Sequence, residues 1–586
     1  MNSHVAASNE LQMEAPNPPR AHFVGWVSAT PADDLPVIQV SPLPPVDDPS
    51  WTFEPEPQTE PAETWLSIER LEAQVMNEGI FDDRPVFSIS LPELIARTLQ
   101  SSIKQKQLEI RPAETRQLIS AEYGAFDPAA FVASQFDVQN LQQSLEDNRV
   151  AFGMRKKHQY GGTLEFNETL GVQNNIAPFV LPDQGLASLN VIYTQELLRD
   201  GGKDIALGRG LIASYQYDRS LSRSVAESNE LIQKTINVYW DLYRARAAYF
   251  IQKSLLAVAE RLVVQIEERS QLVERSQNSL EQARALLYES QADLVDAQTR
   301  VLQVQDALFR LVNDAELNPS IVELVTSEIP SNHAGQLEPM QELGLAFQTR
   351  PEVREKLAAI RENATELQLS LNQLLPRLSV ALRSSLNGFE DNRDFVGALS
   401  SLSDRPISGA AIANFEMYLN NRTARAKNKE AQLRARRLVL EYEDQLQAIR
   451  EEVLTALRVI HNATPEIEFR SETLLARQRE IDVLVERILI NPDEGVSMIL
   501  QLDQLFQSLH RLVRTQQQLI DAKVELQTSL AALQRAKGTL VSADAIPTDT
   551  TVGVPRPMQA FGDQIEDKGE FRQAIRDRVI LEPLPR

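Results

Sequence analysis

The sequence of 586 residues contains no cysteine, only 22 glycines and few aromatic residues, which make up 6% of the chain. The absence of cysteine excludes a disulfide framework, a thiolate metal site and a lipid anchor on cysteine. The scarcity of glycine and of aromatic side chains favours long helices packed along narrow seams over a thick globular core. No run of about 18 apolar residues occurs, so the sequence predicts no transmembrane helix.

Acidic residues outnumber basic ones by 82 to 59, and the formal net charge is −23. Nucleic-acid binding requires a basic surface for the phosphates, so nucleic acid is not an expected partner. The sequence lacks a GxxxxGK[ST] phosphate loop and an HExxH metal motif, and its six histidines show no metal-ligand spacing. We therefore predict no enzymatic activity, no cofactor and no metal site.

The two ends of the chain are rich in proline and acidic residues, as in SPLPPVDDPS (41–50). Such segments bury too little apolar surface to offset the entropy lost on ordering. Residues 1–86 are therefore predicted to be a disordered extension, and 546–586 a tail of similar composition. The first 30 residues contain no apolar signal-peptide core. Export would then use a segment outside this sequence or a different start; otherwise the protein stays inside the cell.

Between these ends, one pattern occurs twice. A helical segment leads each time to a proline, Pro128 or Pro376, that stands just before an alternating stretch. The two prolines lie 248 residues apart, the difference between 376 and 128. Each copy then proceeds as strand, strand, long helix, turn and helix. The sequence therefore predicts two repeats, at 87–338 and 339–545.

The predicted strands alternate apolar and polar side chains. In SLNVIYTQ (188–195), Leu189, Val191 and Tyr193 share one face. The same alternation occurs in TLEFNETL (163–170), LSVALRS (378–384) and AIANFEMYL (411–419). Strands of about 9–11 residues cross a bilayer when tilted. Alternation also fits a half-buried soluble sheet, so this pattern does not decide between the two.

The predicted helices carry apolar residues at heptad spacing, which is typical of coiled-coil packing. The positions are Leu505, Leu512, Leu519, Leu526, Leu533 and Leu540 in the second copy, and Ile232, Ile236, Tyr239, Tyr243 and Phe250 in the first. Long helices are expected at about 202–284 and 421–490. The second would be ~105 Å long, at ~1.5 Å per residue.

Turns between the long helices and their successors are placed by local composition. NPDEGVS (491–497) contains proline and glycine and ends the second long helix. The first copy has no such signal, and we predict its turn at Arg284–Tyr288. The sequence FEMYLNNRTAR (415–425) has no glycine or proline, so a strand is predicted to run directly into a helix that Asn420 or Asn421 caps.

Three short motifs, in this order, resemble the TolC family of outer-membrane efflux proteins. TQELLRDGGK (194–203) resembles the family's strand end, NNRTAR (420–425) its second-repeat counterpart, and LQRAKGTLV (533–541) the end of its last helix. The resemblance covers about 88–545. The corresponding strand–helix junction residues are Leu198, Arg199, Gly201, Gly202, Asn421, Arg422 and Arg425.

The resemblance implies a homotrimer in the cell outer membrane. Each chain would give about four strands to a twelve-stranded β-barrel. Its long antiparallel coiled-coil helices would continue the barrel as an α-barrel tunnel through the periplasm. The residues themselves also require oligomerisation, because four strands cannot close a barrel, for which about eight is the minimum, and an open edge cannot lie in lipid.

The function that the resemblance implies is a passive exit duct for solutes or proteins, in a tripartite efflux or type I secretion system. Its partners would be a periplasmic adaptor protein, an inner-membrane pump or ABC transporter, and outer-membrane lipid. The alternative is a soluble coiled-coil scaffold, which the heptad leucines and the missing signal favour. A scaffold would not need alternating segments twice, each before a long helix.

The family's periplasmic helix ends narrow the tunnel and meet the adaptor. On this resemblance, the candidate gate residues are Asp503, Asp493 and Glu494, and the candidate adaptor contacts are Arg284, Leu286, Leu287, Pro492 and Gly495. Threefold symmetry would turn one inward acid into three like charges, which attract cations and oppose closure. Each acid also fits a solvated helix surface.

Overall fold

The computed structural model of the chain describes residues 67–140, 144–175, 183–270, 277–391, 393–489 and 498–541. Within these ranges the helices are α1 (Ile68–Asn77), α2 (Leu91–Ser101), α3 (Ile103–Tyr123), α4 (Lys203–Ser270), α5 (Gln277–Val312), α6 (Pro339–Thr349), α7 (Pro351–Asn372), α8 (Phe395–Ser400), α9 (Arg422–Leu489) and α10 (Met498–Lys537). The strands are β1 (Val86–Ile89), β2 (Ala129–Asn140), β3 (Ser144–Lys157), β4 (Gly162–Asn175), β5 (Gln184–Glu196), β6 (Glu323–Thr326), β7 (Arg377–Asp391) and β8 (Ser408–Glu416). The fold is mainly helical with a smaller β part, as the composition predicts.

The order of elements from α2 to α5 recurs from α6 to α10. A short helix and a longer one lead to a sheet segment, which is followed by a long helix and a second helix. The long helices α4 and α9 have 68 residues each. At ~1.5 Å per residue, each is ~100 Å long.

The extent of α9 agrees with the predicted helix at 421–490. The extent of α4 does not agree with 202–284, because α4 ends at Ser270 and α5 begins at Gln277. The chain therefore passes from one helix to the next ahead of the predicted turn. The prediction of a turn at Arg284–Tyr288 is wrong, since these residues lie inside α5.

The heptad leucines of α10 are buried, as their spacing predicts. Leu505, Leu512, Leu519, Leu526 and Leu533 are each at most 3% exposed. They belong to one core with apolar side chains of α9, including Ile449, Ile460 and Ile481. Apolar residues in the middle of α4 form a second core, in which Tyr239 and Tyr243 pack with Leu71 of α1, Leu94 of α2 and Leu324 of β6.

Residues 68–86 are docked onto the helices, so the prediction of disorder is wrong for this part of 1–86. Helix α1 begins where the Ser67 hydroxyl accepts a hydrogen bond from the Arg70 amide, at 3.3 Å. Its side chains Leu71 and Val75 are fully buried. Strand β1 pairs in parallel with β6, which follows α5 far along the chain. Sequence composition alone did not reveal this long-range pairing.

A buried ion pair holds this docked segment in place. The Arg246 guanidinium of α4 bonds to Glu323 of β6, and both side chains are fully buried. Arg246 also donates to the backbone oxygens of Val75 and Glu78. Burial lowers the pKa of Arg246, and the charge of Glu323 opposes this effect. Removing either charge would leave the other buried without a counter-charge.

In the described part of the chain, six strands form one antiparallel sheet in the order β2-β3-β4-β5-β7-β8. This corrects the expectation of about four strands. Strands β4, β5 and β7 contain the predicted segments at 163–170, 188–195 and 378–384. Strand β8 ends at Glu416, so the predicted strand at 411–419 extends too far, and β2 and β3 were not predicted. Pro128 and Pro376 do precede the first strand of each copy, β2 and β7. Among the residues described, no helix is long and apolar enough to cross a membrane.

Candidate functional site at the sheet and its junctions with the helices

One face of the six-stranded sheet is apolar, and it is exposed in the single chain. The strand register places Met154, Phe166 and Val191 side by side on β3, β4 and β5. These side chains are 40–52% exposed. Further apolar members of this face, interrupted by Glu168 and Lys156, are Val132, Phe152, Leu164, Tyr193, Leu382 and Phe415. A contiguous exposed apolar surface is typical of contact with a membrane or another chain.

The opposite face is mostly polar and carries a hydrogen-bonded strip across three strands. The Arg155 guanidinium of β3 donates to Glu165 of β4 at 2.8 Å. The Asn167 amide donates to the same carboxylate at 3.0 Å. Asn190 of β5 then donates to the side-chain oxygen of Asn167, also at 3.0 Å. A sheet with one apolar and one polar face is the arrangement that a barrel wall between lipid and water requires.

The first strand–helix junction, at the end of β5, is held by the end of α7. The Leu197 amide donates to the Leu378 oxygen at 2.8 Å, so the strand pairing continues past Glu196. Two side chains at the end of α7 then form hydrogen bonds with the chain that follows β5. Asn372 accepts from the Asp200 amide at 2.7 Å, and Gln373 accepts from the Arg199 guanidinium at 2.9 Å. Leu198, whose oxygen accepts from Asn372, is part of the same contact.

The turn into α4 depends on residues with left-handed backbone. Asp200 has φ 63° and Gly202 has φ 96°, a region that glycine adopts without strain. A Cβ atom on Gly201 would lie 2.6 Å from the Glu196 oxygen, so this position also needs glycine. The motif RDGG therefore redirects the chain from strand to helix over a few residues.

The second junction uses one left-handed residue, Asn421, with φ 35°. Its carbonyl oxygen accepts from the Arg425 amide at 3.1 Å, which makes it the residue that starts α9. Its side chain does not cap the helix as expected, but donates to the Gln373 oxygen at 3.1 Å. Gln373 thus contacts both junctions and links the two copies. Arg422 and Arg425 are exposed at the start of α9.

Aromatic and apolar side chains surround the junctions and are open to solvent in the single chain. Tyr160, in the β3–β4 turn, is 55% exposed, and Tyr418 is 57% exposed with the Arg199 guanidinium 5.6 Å from its ring centre. Leu197, Met417 and Leu419 are also exposed. Tyrosine and arginine between an apolar surface and water are typical of the membrane interface.

No family model and no curated protein sequence matches this chain. Solved structures do share its architecture. VceC, an outer membrane protein of Vibrio cholerae, aligns with a TM-score of 0.57 and 14% identity over 81% of this chain and 99% of VceC. The CmeC outer membrane channel of Campylobacter jejuni aligns with a TM-score of 0.56 and 13% identity, over 78% and 87%. CusC, described for its transmembrane channel formation, aligns with a TM-score of 0.56 and 16% identity, over 78% of this chain and 95% of CusC.

The chain has the TolC fold. The resemblance seen in the sequence motifs is thereby confirmed at the level of the fold. On the TolC fold, the junction residues of both motifs lie together where the sheet meets the helices. The sequence motifs did not reveal Asn372 and Gln373, which hold the first junction, because their role depends on contacts between segments far apart in the chain.

The predicted tip residues of this TolC fold are partly described. Asp503 lies five residues inside α10, is exposed, and accepts a hydrogen bond from Gln507 at 2.9 Å. Pro492, Asp493, Glu494 and Gly495 lie outside the described residues. The described end of α10 therefore contributes Asp503 as the one candidate gate acid whose surroundings are defined.

The residues predicted as first-copy tip contacts lie on α5. Arg284 pairs with Glu267 of α4 at 2.7 Å and with Glu281 at 3.1 Å, so it ties the two helices together. Leu286 is 4% exposed and Leu287 packs against the same core. Their helix-forming composition and apolar spacing explain why the helix continues through them. In the sequence, Ser276 and Asn278 are the polar residues that favour a helix start nearer the observed beginning of α5.

Near the described end of α9, one carboxylate joins α9 to α10. Glu480 accepts from Arg477 at 2.6 Å and from the Ser508 hydroxyl of α10 at 3.1 Å. The Arg477 hydrogen bond is the main reason that the pKa of Glu480 is lowered, and its burial acts in the opposite direction. In the described residues, no group of three or more histidines and carboxylates is placed to hold a metal ion.

Proposed function

We propose that this chain is a passive exit channel of the outer membrane that works as a homotrimer. One observation supports this function above all: a sheet with an exposed apolar face and a polar opposite face continues into helices ~100 Å long. The apolar face would meet lipid, and the polar face would line a water-filled passage. The helices would extend this passage through the periplasm.

Transport through such a duct needs no reactive side chain, so energy would come from partners. We propose a periplasmic adaptor protein and an inner-membrane pump or ABC transporter, as the resemblance implies. The cargo would be solutes or proteins, moved by tripartite efflux or type I secretion. The exposed arginines Arg422 and Arg425 would lie at the membrane interface, where the phosphates of lipid headgroups attract them.

A soluble scaffold is the weaker candidate. Its heptad leucines would be satisfied by the helical core within one chain, but the sheet would then present its apolar face to water. Side chains such as Val132 and Phe136, which are 77% and 73% exposed, would lower the solubility of such a protein.

The first test is cell fractionation followed by reconstitution. The protein is expected in the outer membrane, to require detergent for extraction, and to run at three times the mass of one chain. In planar bilayers it should conduct ions without an added energy source. A monodisperse monomer in detergent-free buffer would contradict the proposal and support the scaffold.

The gate proposal concerns Asp503. Three inward copies of this acid would concentrate cations at the helix ends. Replacing Asp503 with Asn should therefore lower the cation-to-anion permeability ratio of the reconstituted channel. Glu525→Gln, an exposed acid further along the same helix, is the matched control and should leave the ratio unchanged. An equal ratio in wild type and Asp503→Asn would remove Asp503 from the gate.

A further inference from the structure

The two copies of the repeat give different numbers of strands to the sheet, four in the first copy and two in the second. In the first copy, the stretch from the first strand to the long helix runs from Ala129 to Lys203. In the second copy, the equivalent stretch is much shorter and runs from Arg377 to Arg422. Strands β3 and β4, with 14 residues each, account for this difference.

The additional hairpin is an integral part of the sheet. Strand β3 pairs with β2 from Ala129↔Arg155 to Asn140↔Ser144, and β4 pairs with β5 from Gly162↔Gln195 to Gln173↔Gln184. Its apolar side chains lie on the apolar face of the sheet, since Met154 and Phe166 lie beside Val191 on that face. The hairpin therefore adds two strands' width to the membrane-facing surface.

The hairpin adds no helix to the body below it. Strands β2, β5, β7 and β8 each connect to a helix at the helical end of the sheet. Strands β3 and β4 instead connect to each other there, through a tight turn. The His158 amide donates to the Gly162 oxygen, the Gly161 amide donates to the His158 oxygen, and Gly161 has φ 85°. Each chain therefore has six strands in the described sheet, but only four of them connect to a helix.

The two edges of the sheet suit each other. In the described strands, β2 and β8 each have one paired side, and their other sides form the edges. Because six strands alternate in direction, β2 and β8 run oppositely, so an edge-to-edge contact between two copies continues the antiparallel order. Every residue of β8 is exposed, including Phe415 at 63%. An unpaired edge cannot remain in lipid and invites pairing in water.

We propose that β8 of one copy pairs with β2 of the next, so that three copies close a barrel of eighteen strands rather than twelve. This inference rests on the trimeric channel proposed above and specifies its interface and width. Barrel diameter grows about linearly with strand number, so the lumen would be roughly one and a half times as wide as that of a twelve-stranded barrel. Barrels of about 16–18 strands enclose an aqueous channel.

The absence of cysteine from the chain makes disulfide crosslinking a clean test. Val132→Cys on one edge, combined with either Ala413→Cys or Ala411→Cys on the other, covers two neighbouring registers of the apolar face. Oxidation in isolated outer membranes should yield products of two and three times the chain mass on a non-reducing gel. The pair Met154→Cys with Phe166→Cys, directly opposite on β3 and β4, is the control and should close within one chain.

The alternative is a twelve-stranded barrel in which β4 replaces β2 at the interface. The pair Phe166→Cys with Ala413→Cys tests it, and our proposal requires that this pair give no product between chains. Such a product would overturn the proposal, as would the absence of products from β2–β8 pairs in a membrane trimer whose control pair closes. A soluble monomer would instead overturn the proposed channel itself, so the two failures are distinguishable.

A deletion tests the width. Removing residues 141–175 leaves 176–183 to connect β2 with β5, which run in opposite directions. The largest polyethylene glycol that enters assembled trimers of this variant should have about two thirds the diameter of the largest one that enters the wild type. The measurement adds polyethylene glycols to the outer side of channels in planar bilayers. An unchanged limit would show that the hairpin lies outside the wall. If the variant does not assemble, the crosslinking result decides.

Discussion

The helical body buries its periodic apolar side chains within one chain, whereas the sheet leaves its alternating apolar side chains exposed. In the helical body, side chains chosen by a heptad period are buried within a single chain, and Leu526 is fully buried. In the sheet, side chains chosen by strict alternation remain open, and Phe415 is 63% exposed. The same kinds of residue, in two periodic patterns, therefore meet two different environments.

This difference shows where each part obtains its stability. Burial of apolar surface contributes roughly 25 cal/mol per Å², and the helical body obtains this contribution from its own two cores. The sheet lacks a core of its own in one chain, and in the proposed channel its apolar face and edges would be covered by lipid and by other copies. Changes in the helical body should therefore act in the single chain, and changes in the sheet should act in the assembled state.

The largest effect is expected from Arg246→Ala in the helical body. The change leaves Glu323 buried without its counter-charge, which typically costs ~3–5 kcal/mol of unfolding free energy. Urea unfolding in detergent should show this loss. Arg244→Ala is the matched control, because Arg244 is 43% exposed and pairs with surface acids. An equal loss in both variants would mean that the buried pair does not hold the docked segment 68–86.

The second largest loss of unfolding free energy is expected from Leu526→Ala in the core between α9 and α10. Leucine truncation in a packed core costs ~2–5 kcal/mol through lost transfer energy and the remaining cavity. Leu440→Ala on α9, where the side chain is 64% exposed, should have a much smaller effect on the unfolding of a single chain. Unfolding followed by helical circular dichroism measures both. Comparable losses would remove the contrast between buried and open apolar positions.

A charge on the apolar face of the sheet tests the other half of the comparison. Val191→Lys should cost ~2–4 kcal/mol in a membrane, the usual range for lysine near the bilayer midplane of a barrel. The adjacent Ile192→Lys, on the polar face opposite Glu165, is the control. The measurement is the fraction of protein assembled in lipid vesicles. If both variants assemble equally, the apolar face does not meet lipid.

The smallest effect on stability is expected from lowering the pH, which weakens the contact of Glu480 between α9 and α10. The lowered pKa of Glu480 means that its contact stabilises the α9–α10 pair above the ordinary carboxyl pKa of about 4.5 and is lost as pH falls below it. Hydrogen exchange should show weaker protection of α10 near Ser508 at pH 3 than at pH 7. Glu480→Gln should abolish this difference, whereas Glu466→Gln, whose partner Arg470 lies on the same helix, should retain it. A difference that persists in Glu480→Gln would assign it to another group.

Several elements were predictable because their signals are local. The bounds of α9, the four alternating strands and the prolines before β2 and β7 all follow from periodicity or composition in a short window. Strand β3 also alternates, with Val150, Phe152 and Met154 on one face, and could have been found. Strand β2 has apolar residues on both faces, as in Phe131 and Val132, so alternation did not reveal it.

The sequence by itself determined the helical character, the doubled order of elements and the resemblance carried by the junction motifs, because each depends on neighbours along the chain. The tertiary structure decided the pairing of six strands in one sheet, the role of Gln373 between the junctions, and the docking of 68–86 through Arg246 and Glu323. These features depend on contacts between distant segments. Their energy arises when those segments meet, so no local pattern records it.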